Sequence, residues 1–424
     1  MRMRHVLRDR SLLMNSHHKV WLFASWLLAG CLSGPVSAQP AKIAECQALD
    51  GLLNAKVDAS SQLQNCLNAL PANAHLSLGA GTLVLQQPIV FRKPVDIGTS
   101  GKGASSAPCA PDGDAGCLTL LSRPTPATRQ NGVRGLETRP ITIAAAGIKL
   151  DHIVIEGSKN DPQRALFCGK QGEAARTGGL VGVAADHFTM TNSVVRLAPC
   201  NGAISVLAGN DGFVFKRNFV GFNGDHSRAR LWGDGLTVMD SKNAVIENNV
   251  FVDNTDVQLI VGGCSNCSIR GNVLKHTGKP AGGSYAAMML AGWPNTSGDF
   301  SGSIFEGNKI DCSAQRSCGF GLIYGGTPWY VSSAKGGVVR NNTIVNAELG
   351  ISVSDANGEA AIENNTVQNS GGQLKAACGS LAAGDVNVSE KSRGFVREDK
   401  IVSNKNARIS HIDFTKCLLN QPTQ

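Results

Sequence analysis

The sequence predicts an all-β solenoid: one chain wound into stacked coils, its strands paired in parallel sheets as a single-stranded parallel β-helix, with a short helix over its N-terminal end. Three observations predict it. A β-type phrase with an asparagine at a fixed place returns six times between residues 213 and 367. Another strand-like run stands before each return. One stretch with helical spacing precedes all of them, at 60–70.

The N-terminus comes before the fold. Arg2, Arg4, Arg8, Arg10 and Lys19 lead into the apolar run VWLFASWLLAGCL at 20–32. A positive segment followed by an apolar one too short to span a bilayer is the layout of a secretory signal. VSA at 36–38 offers a small-residue cleavage site, so 1–38 is expected to be a signal peptide and 39–424 a single domain. LAGC at 28–31 also resembles the bacterial lipoprotein signal, in which Cys31 is lipidated and kept. The expected location is secreted or periplasmic, or else the outer membrane through Cys31. No later segment is long and apolar enough to cross a membrane.

A solenoid must cover its open ends. Within SSQLQNCLNAL at 60–70, Leu63, Cys66, Leu67 and Leu70 share one helical face, which makes this stretch the expected N-terminal lid. With the two β-like pieces that follow it around a glycine turn, the cap takes up about 55–95.

The coils are expected over about 140–370. Asn218, Asn249, Asn272, Asn308, Asn342 and Asn365 occupy one slot. Three places earlier stand Phe215, Ile246, Ile269, Phe305, Val339 and Ile362; two places later stand Val220, Phe251, Leu274, Ile310, Ile344 and Val367. Alternation up to the third position before the slot is that of a strand with one buried face. The change of parity at the slot means that the chain turns there. Ser158 and Ser193 fill the slot in two weaker copies, with Ile155 and Met190 three before. The runs 203–209, 235–240, 257–263, 286–292, 320–326 and 349–355 supply the preceding strand. Each unit thus reads strand, turn, strand, turn. Such a unit cannot bury its apolar face alone, so neighbours stack about 4.8 Å apart. An asparagine at the same inward turn of every coil can bond to the coil above and below, as amide ladders do in stacked strands, and so satisfy turn amides that lack a sheet partner. Beyond 370 the slot pattern stops, and 371–424 is the expected C-terminal cap.

Twelve cysteines remain after Cys31, an even number in an exported chain, and favour disulfides. Local pairs suggest themselves: Cys46–Cys66, Cys109–Cys117, Cys168–Cys200, Cys312–Cys318 and Cys378–Cys417. CSNC at 264–267 has redox-motif spacing, but it lies between strand-like runs, which favours a turn disulfide or core cysteines. No Cys/His cluster has zinc spacing. Net charge is +8; removing 1–38 takes away five basic residues and Asp9 and leaves +4. There is no lysine-arginine tract or basic helix for nucleic acid, and a weak preference for acidic ligands is allowed.

The helix followed by GAGT at 79–82, with Asp58 before it, and the repeated apolar-x-x-Asn phrase resemble the right-handed parallel β-helix superfamily of pectate lyases and polygalacturonases. The resemblance covers about 55–370. It implies an extracytoplasmic protein that binds a polysaccharide along a groove beside one sheet. That fold hosts lyases, hydrolases, epimerases and surface proteins, so the chemistry must be argued from a site.

Chemistry-bearing residues gather at one corner. GDHSRARLWGDG at 224–235 carries Asp225, His226, Arg228, Arg230 and Asp234, and VDNTD on the next coil carries Asp253 and Asp256. Asp234 and Asp256 on adjacent coils suit a glycosidase pair: one carboxyl protonates the glycosidic oxygen and the other activates water. The pair resembles part of the polygalacturonase pattern, with GDG and NTD holding its two aspartate positions. Thr255 stands where that pattern has a further aspartate, SYA at 284–286 where it has G-H-G, and no R-I-K follows. A lyase would use Arg228 or Arg230 to neutralise a uronate carboxylate and His226 as base. Aspartates there are also calcium ligands by type, without calcium-loop spacing; no cofactor is expected. Turn capping is the alternative role for Asp225, Asp253 and Asp256, and solvated loop charge for the arginines. His152, His187 and His276 are expected to be structural.

After residue 38 the only tryptophans are Trp232, Trp293 and Trp329, and the only tyrosines Tyr285, Tyr324 and Tyr330. Flat faces with polar edges suit sugar rings, so Trp232, Tyr285, Trp293, Tyr324 and Trp329, with Asp225 and Asp253, are expected substrate contacts; space-filling is the alternative. The expected function is cleavage of a polysaccharide, acidic or neutral, with hydrolysis ahead of elimination. The alternative is a non-catalytic glycan-binding or adhesin β-helix. A capped solenoid can be a monomer.

Overall fold

The computed structural model describes residues 43–414 except 104–105, 113–115, 124–138 apart from Val133 and Leu136, 162–177 apart from Cys168, 226–230 and 279–283; it also describes Leu419. The expected signal segment and Cys31 lie outside those residues. From residue 42 onward the chain forms one compact unit.

At each asparagine slot the chain turns a corner in two steps. The residue before the slot takes a left-handed φ: Arg217 54°, Asn248 57°, Gly271 62°, Gly307 65°, Asn341 55° and Asn364 54°. Gly and Asn accept that conformation most readily, which accounts for the NN and GN dipeptides. The slot asparagine then points inward. Strands such as Val245–Glu247 and Val250–Val252 flank the pair, so the phrase read as one strand is two. Each coil therefore has three strands, not two, and the chain builds three parallel sheets of 10, 10 and 12 strands.

The columns predicted on either side of the slot are in register. Phe215 pairs with Ile246, Ile246 with Ile269 and Ile269 with Phe305 in the first sheet; Val220 pairs with Phe251 and Phe251 with Leu274 in the second. All are buried in one continuous core. The amide ladder links every slot. The Asn249 N–H and Nδ2–H donate to Asn272 Oδ1 at 3.0 and 2.9 Å, and Asn272 repeats this on Asn308 at 3.0 and 2.9 Å. Each Nδ2 also donates to a main-chain carbonyl, Asn272 to Ile246 O at 2.9 Å. Ser193 continues the ladder upward, accepting nothing from its predicted neighbour: its Oγ takes the N–H of Ile153 at 3.0 Å. Ile153, not Ser158, therefore fills the earlier slot. Ile155 pairs with Val195, two places after the slot, and Leu150 is the residue three before it.

On the outer face of the first sheet, Lys216, Glu247, Arg270, Glu306, Arg340 and Glu363 stand in one column. Lys216 pairs with Glu247 at 3.1 Å, and Glu306 with Arg270 at 3.6 Å and Arg340 at 2.7 Å. Opposite charges directly across a pair stabilise one register over its neighbours.

The helix Ser60–Ala69 closes the first coil through buried Leu63, Cys66 and Leu67. At the other end Ile401 O accepts the Asn365 N–H at 3.0 Å, ending the ladder. The disulfides are Cys46–Cys66, Cys109–Cys117, Cys168–Cys200, Cys264–Cys267 and Cys312–Cys318. Cys264 and Cys267 are thus a turn disulfide. Cys378 is also bonded; its expected partner, Cys417, lies outside the described residues. This complement marks an oxidising, extracytoplasmic compartment. Among the described residues no helix is long and apolar enough to cross a membrane.

Candidate active site

The site forms where the second sheet hands over to the third. A second amide ladder fixes this corner. Asn223 Oδ1 accepts the Ala198 N–H at 2.8 Å, Asn223 Nδ2 donates to Asn254 Oδ1 at 2.6 Å, and Asn254 Nδ2 donates to Gln258 Oε1 at 2.5 Å. Thr255 is tied inward as well, its Oγ1 donating to Asn223 O at 3.0 Å and accepting the Gly233 N–H at 3.2 Å. With Asn254 and Thr255 held, Asp256 is presented at the corner, partly buried.

Strands Leu236–Lys242 and Val257–Ser265 pair with Leu236 opposite Leu259. Asp234 therefore lies beside Val257, whose N–H donates to Asp234 Oδ1 at 3.2 Å, and Asp256 falls one residue out of step on the next coil. Desolvation raises the Asp234 carboxyl to about 6, against the Val257 and Thr237 hydrogen bonds and the charge of Arg139, which hold it down. Asp256 rises well above the ordinary carboxylate range through desolvation and then the charge of Asp234. Two carboxyls with different environments separate into an acid and a base.

Arg139 comes from three coils away. Its side chain runs over Gly179 and Gly182: a Cβ on Gly179 would lie 1.2 Å from Arg139 Nη1, and one on Gly182 2.9 Å from its Cγ. The guanidinium donates to Gly202 O at 2.5 Å and Ser205 Oγ at 2.8 Å. Burial brings it down to about 10, opposed by the charge of Asp234. Tyr330 reaches the pair from the loop after strand Cys318–Gly325. Its hydroxyl is raised by burial and then by the charges of Asp234 and Asp256, while the residue remains 45% exposed. The neck of that loop is tied by the Thr327 N–H to Ser332 Oγ at 2.6 Å.

The other expected contacts are placed differently. His226, Arg228 and Arg230 lie outside the described residues. Asp225 is buried at the turn before them, its N–H donating to Leu231 O at 2.5 Å. Asp253 caps a turn: it accepts from Thr277 N and Oγ1 at 2.9 and 2.6 Å and faces His276 at 3.4 Å. Tyr324 points into the core, its hydroxyl donating to Gly336 O at 2.9 Å, so it has no face for a sugar. Tyr285 is 1% exposed beneath Trp329, ring centroids 4.2 Å apart. Trp293 packs over Gly262, and Trp232 is partly buried, its carbonyl accepting the Asn201 N–H at 2.7 Å. Trp293 and Trp329 belong to a second apolar cluster with Tyr285, Met289, Ile323, Phe414 and Leu419. That cluster lies outside the core and covers the third sheet. Tyr285 and Tyr324 thus fill space, while Trp232, Trp293 and Trp329 are partly buried. Among the described residues no three His, Cys, Asp or Glu side chains gather as a metal site.

Arg139 and Tyr330 were not legible as site residues, because each crosses coils to arrive. The one available signal for Arg139 was GGLVGV at 178–183, where glycines in a strand vacate room for a close neighbour.

Neither a protein-family model nor a curated protein matches the sequence. Solved structures do match its fold. The polygalacturonase from Erwinia carotovora ssp. carotovora is 14% identical, with a TM-score of 0.51 over 84% of this chain and 94% of that one. The Agl-KA catalytic domain is 15% identical, with a TM-score of 0.52 over 79% of this chain and 61% of that domain. The Dettilon tailspike protein is 10% identical, with a TM-score of 0.50 over 85% of this chain and 66% of its own. At these identities the likeness shows the fold alone: the chain is a right-handed parallel β-helix, as those structures are.

Proposed function

We propose that the protein is an extracytoplasmic glycoside hydrolase acting on an acidic polysaccharide, with Asp256 as general acid and Asp234 as general base. The observation that carries this reading is the pair of carboxyls on neighbouring coils, Asp234 bonded to the N–H of Val257 next to Asp256, both raised by burial. Asp256, raised by burial and then by the charge of Asp234, acts as the acid and gives its proton to the glycosidic oxygen as the bond to the anomeric carbon breaks. Asp234, ionised above about 6, takes a proton from the water that attacks that carbon. The cycle closes when Asp234 returns a proton to solvent and Asp256 regains one. Arg139 supplies a positive charge for a uronate carboxylate and holds Asp234 lower than burial alone would. Likeness to a polygalacturonase supports the substrate class.

The test is incubation with polygalacturonate. New reducing ends without the absorbance of unsaturated uronate are expected, and their loss in Asp234→Asn and in Asp256→Asn. Unsaturated products would replace hydrolysis by elimination, and full activity in the double variant would remove the assignment.

A further inference from the structure

We infer that the site takes the end of a glycan chain and not its middle, so that the protein removes short units from a terminus. This rests on the hydrolase reading above and concerns how that site is shaped. A long open groove beside the third sheet is what an internally cutting enzyme needs, because a pyranose unit spans about one coil step of about 4.8 Å. The outward-facing column of the third sheet runs from Thr142 to Gly182, Ser205, Thr237, Ile260, Met289, Ile323, Ser352 and Asn387. Every member is buried except Thr237, which is partly open. Thr237 is also the residue whose hydroxyl meets Asp234, at 3.4 Å.

Both sides of that opening are walled by the chain itself. Towards the N-terminus, Leu136 and Arg139 lie on Gly182, so close that a Cβ there would meet Leu136 Cδ2 at 2.7 Å. Towards the C-terminus the cover is continuous. Trp329 lies on Tyr285, Phe414 packs edge-on against Phe320 with centroids 6.0 Å apart, and Leu419 lies where a Cβ on Gly319 would be, 2.8 Å away. The strap that carries Phe414 is anchored by strand Ile409–Ser410 on Val386–Asn387 and by the Ile412 N–H to Asn387 Oδ1 at 2.8 Å. The hairpin Gly372–Ala383 adds Leu374 and Ala383 to the same cluster. A polymer laid along the sheet would have to displace Leu136 and Arg139 on one side and the packed apolar layer on the other. A terminus needs only the opening at Thr237, beside the two aspartates, with Tyr330 at its rim.

Two measurements on polygalacturonate decide it. In an early digest by the intact protein, one mono- or disaccharide product is expected from the first time point, with viscosity nearly unchanged. A ladder of oligosaccharides with a steep fall in viscosity overturns the inference. In the second, the Asp234→Asn, Asp256→Asn protein is titrated by calorimetry with a short polygalacturonate fraction and one tenfold longer, at equal mass. Sites that count chain ends fall tenfold with the longer fraction. Equal sites per unit mass, or no binding of either fraction, overturns the inference. Absence of turnover in the first measurement removes the hydrolase, while the second still reports whether ends or interiors are bound.

Discussion

Replacing Asp256 by Asn tests the acid–base pair without any substrate. A general acid must hold its proton at pH 7. In the unfolded chain the same carboxyl ionises near 3.8, the ordinary aspartate value. Between those two points the folded state binds one proton more than the unfolded state, so stability falls as pH rises, by about 1.4 kcal/mol per pH unit. The amide is neutral in both states and has no such slope. Its own packing adds a constant offset, which drops out of the pH dependence. The stability advantage of the variant should therefore grow by about 2–3 kcal/mol between pH 5 and pH 7. Glu348, pushed up to about 7 by burial, and Asp234 titrate in the same range, but both are present in wild type and variant and cancel. Asp58, Asp151, Asp253 and Asp299 are held below 3.8 and act only in more acidic solution, where the stability they contribute is lost. The assay is urea unfolding at pH 5, 6, 7 and 8 with disulfides intact. Parallel curves for the two proteins would refute the reasoning, since they would mean that Asp256 ionises as it does in an unfolded chain and has no proton to donate.

Asn272→Ala strips the partners from two buried main-chain groups, the Asn249 N–H and the Ile246 carbonyl; a loss of about 2–5 kcal/mol is expected, read as chemical unfolding together with faster hydrogen exchange at the Asn249 amide. Arg139→Met keeps the length and removes the charge that lowers Asp234, so the acid limb of the pH–rate profile moves to higher pH and KM for an acidic polymer rises, while a neutral glycan would show no change in KM. Glu306→Gln removes both of its arginine pairs on an exposed face, and unfolding should show a loss under about 1 kcal/mol that disappears in high salt.

The inner ladder was legible because its cause is local: each coil needs an amide at its own turn, so the need repeats with the coil. The number of strands per coil was not, because a left-handed residue and a buried one in succession look like a single change of parity. The charged column was present in the sequence two places before each slot, and it becomes a ladder only when the coils are set in register. Ser158 was misplaced for a related reason. Ile155 suits the apolar place on either side of a slot, and only the pairing with Val195 tells the two apart. At the site, Asp234 and Asp256 were visible as neighbours on consecutive coils. Arg139, Tyr330, Phe414 and Leu419 come from elsewhere in the chain, over distances that no repeat encodes. The same limit hides from the sequence that Phe414 and Leu419 pack over the C-terminal coils of the third sheet.

The alternation from Lys216 to Glu363 imposes a parity rule on how this molecule could change length. Excise the rung that bears Glu247 and Lys216 meets Arg270; excise two in succession and a cation again faces an anion. Duplication obeys the same arithmetic. Loops at the corners are free to lengthen one residue at a time, but whole turns of the spiral are best gained or lost in twos.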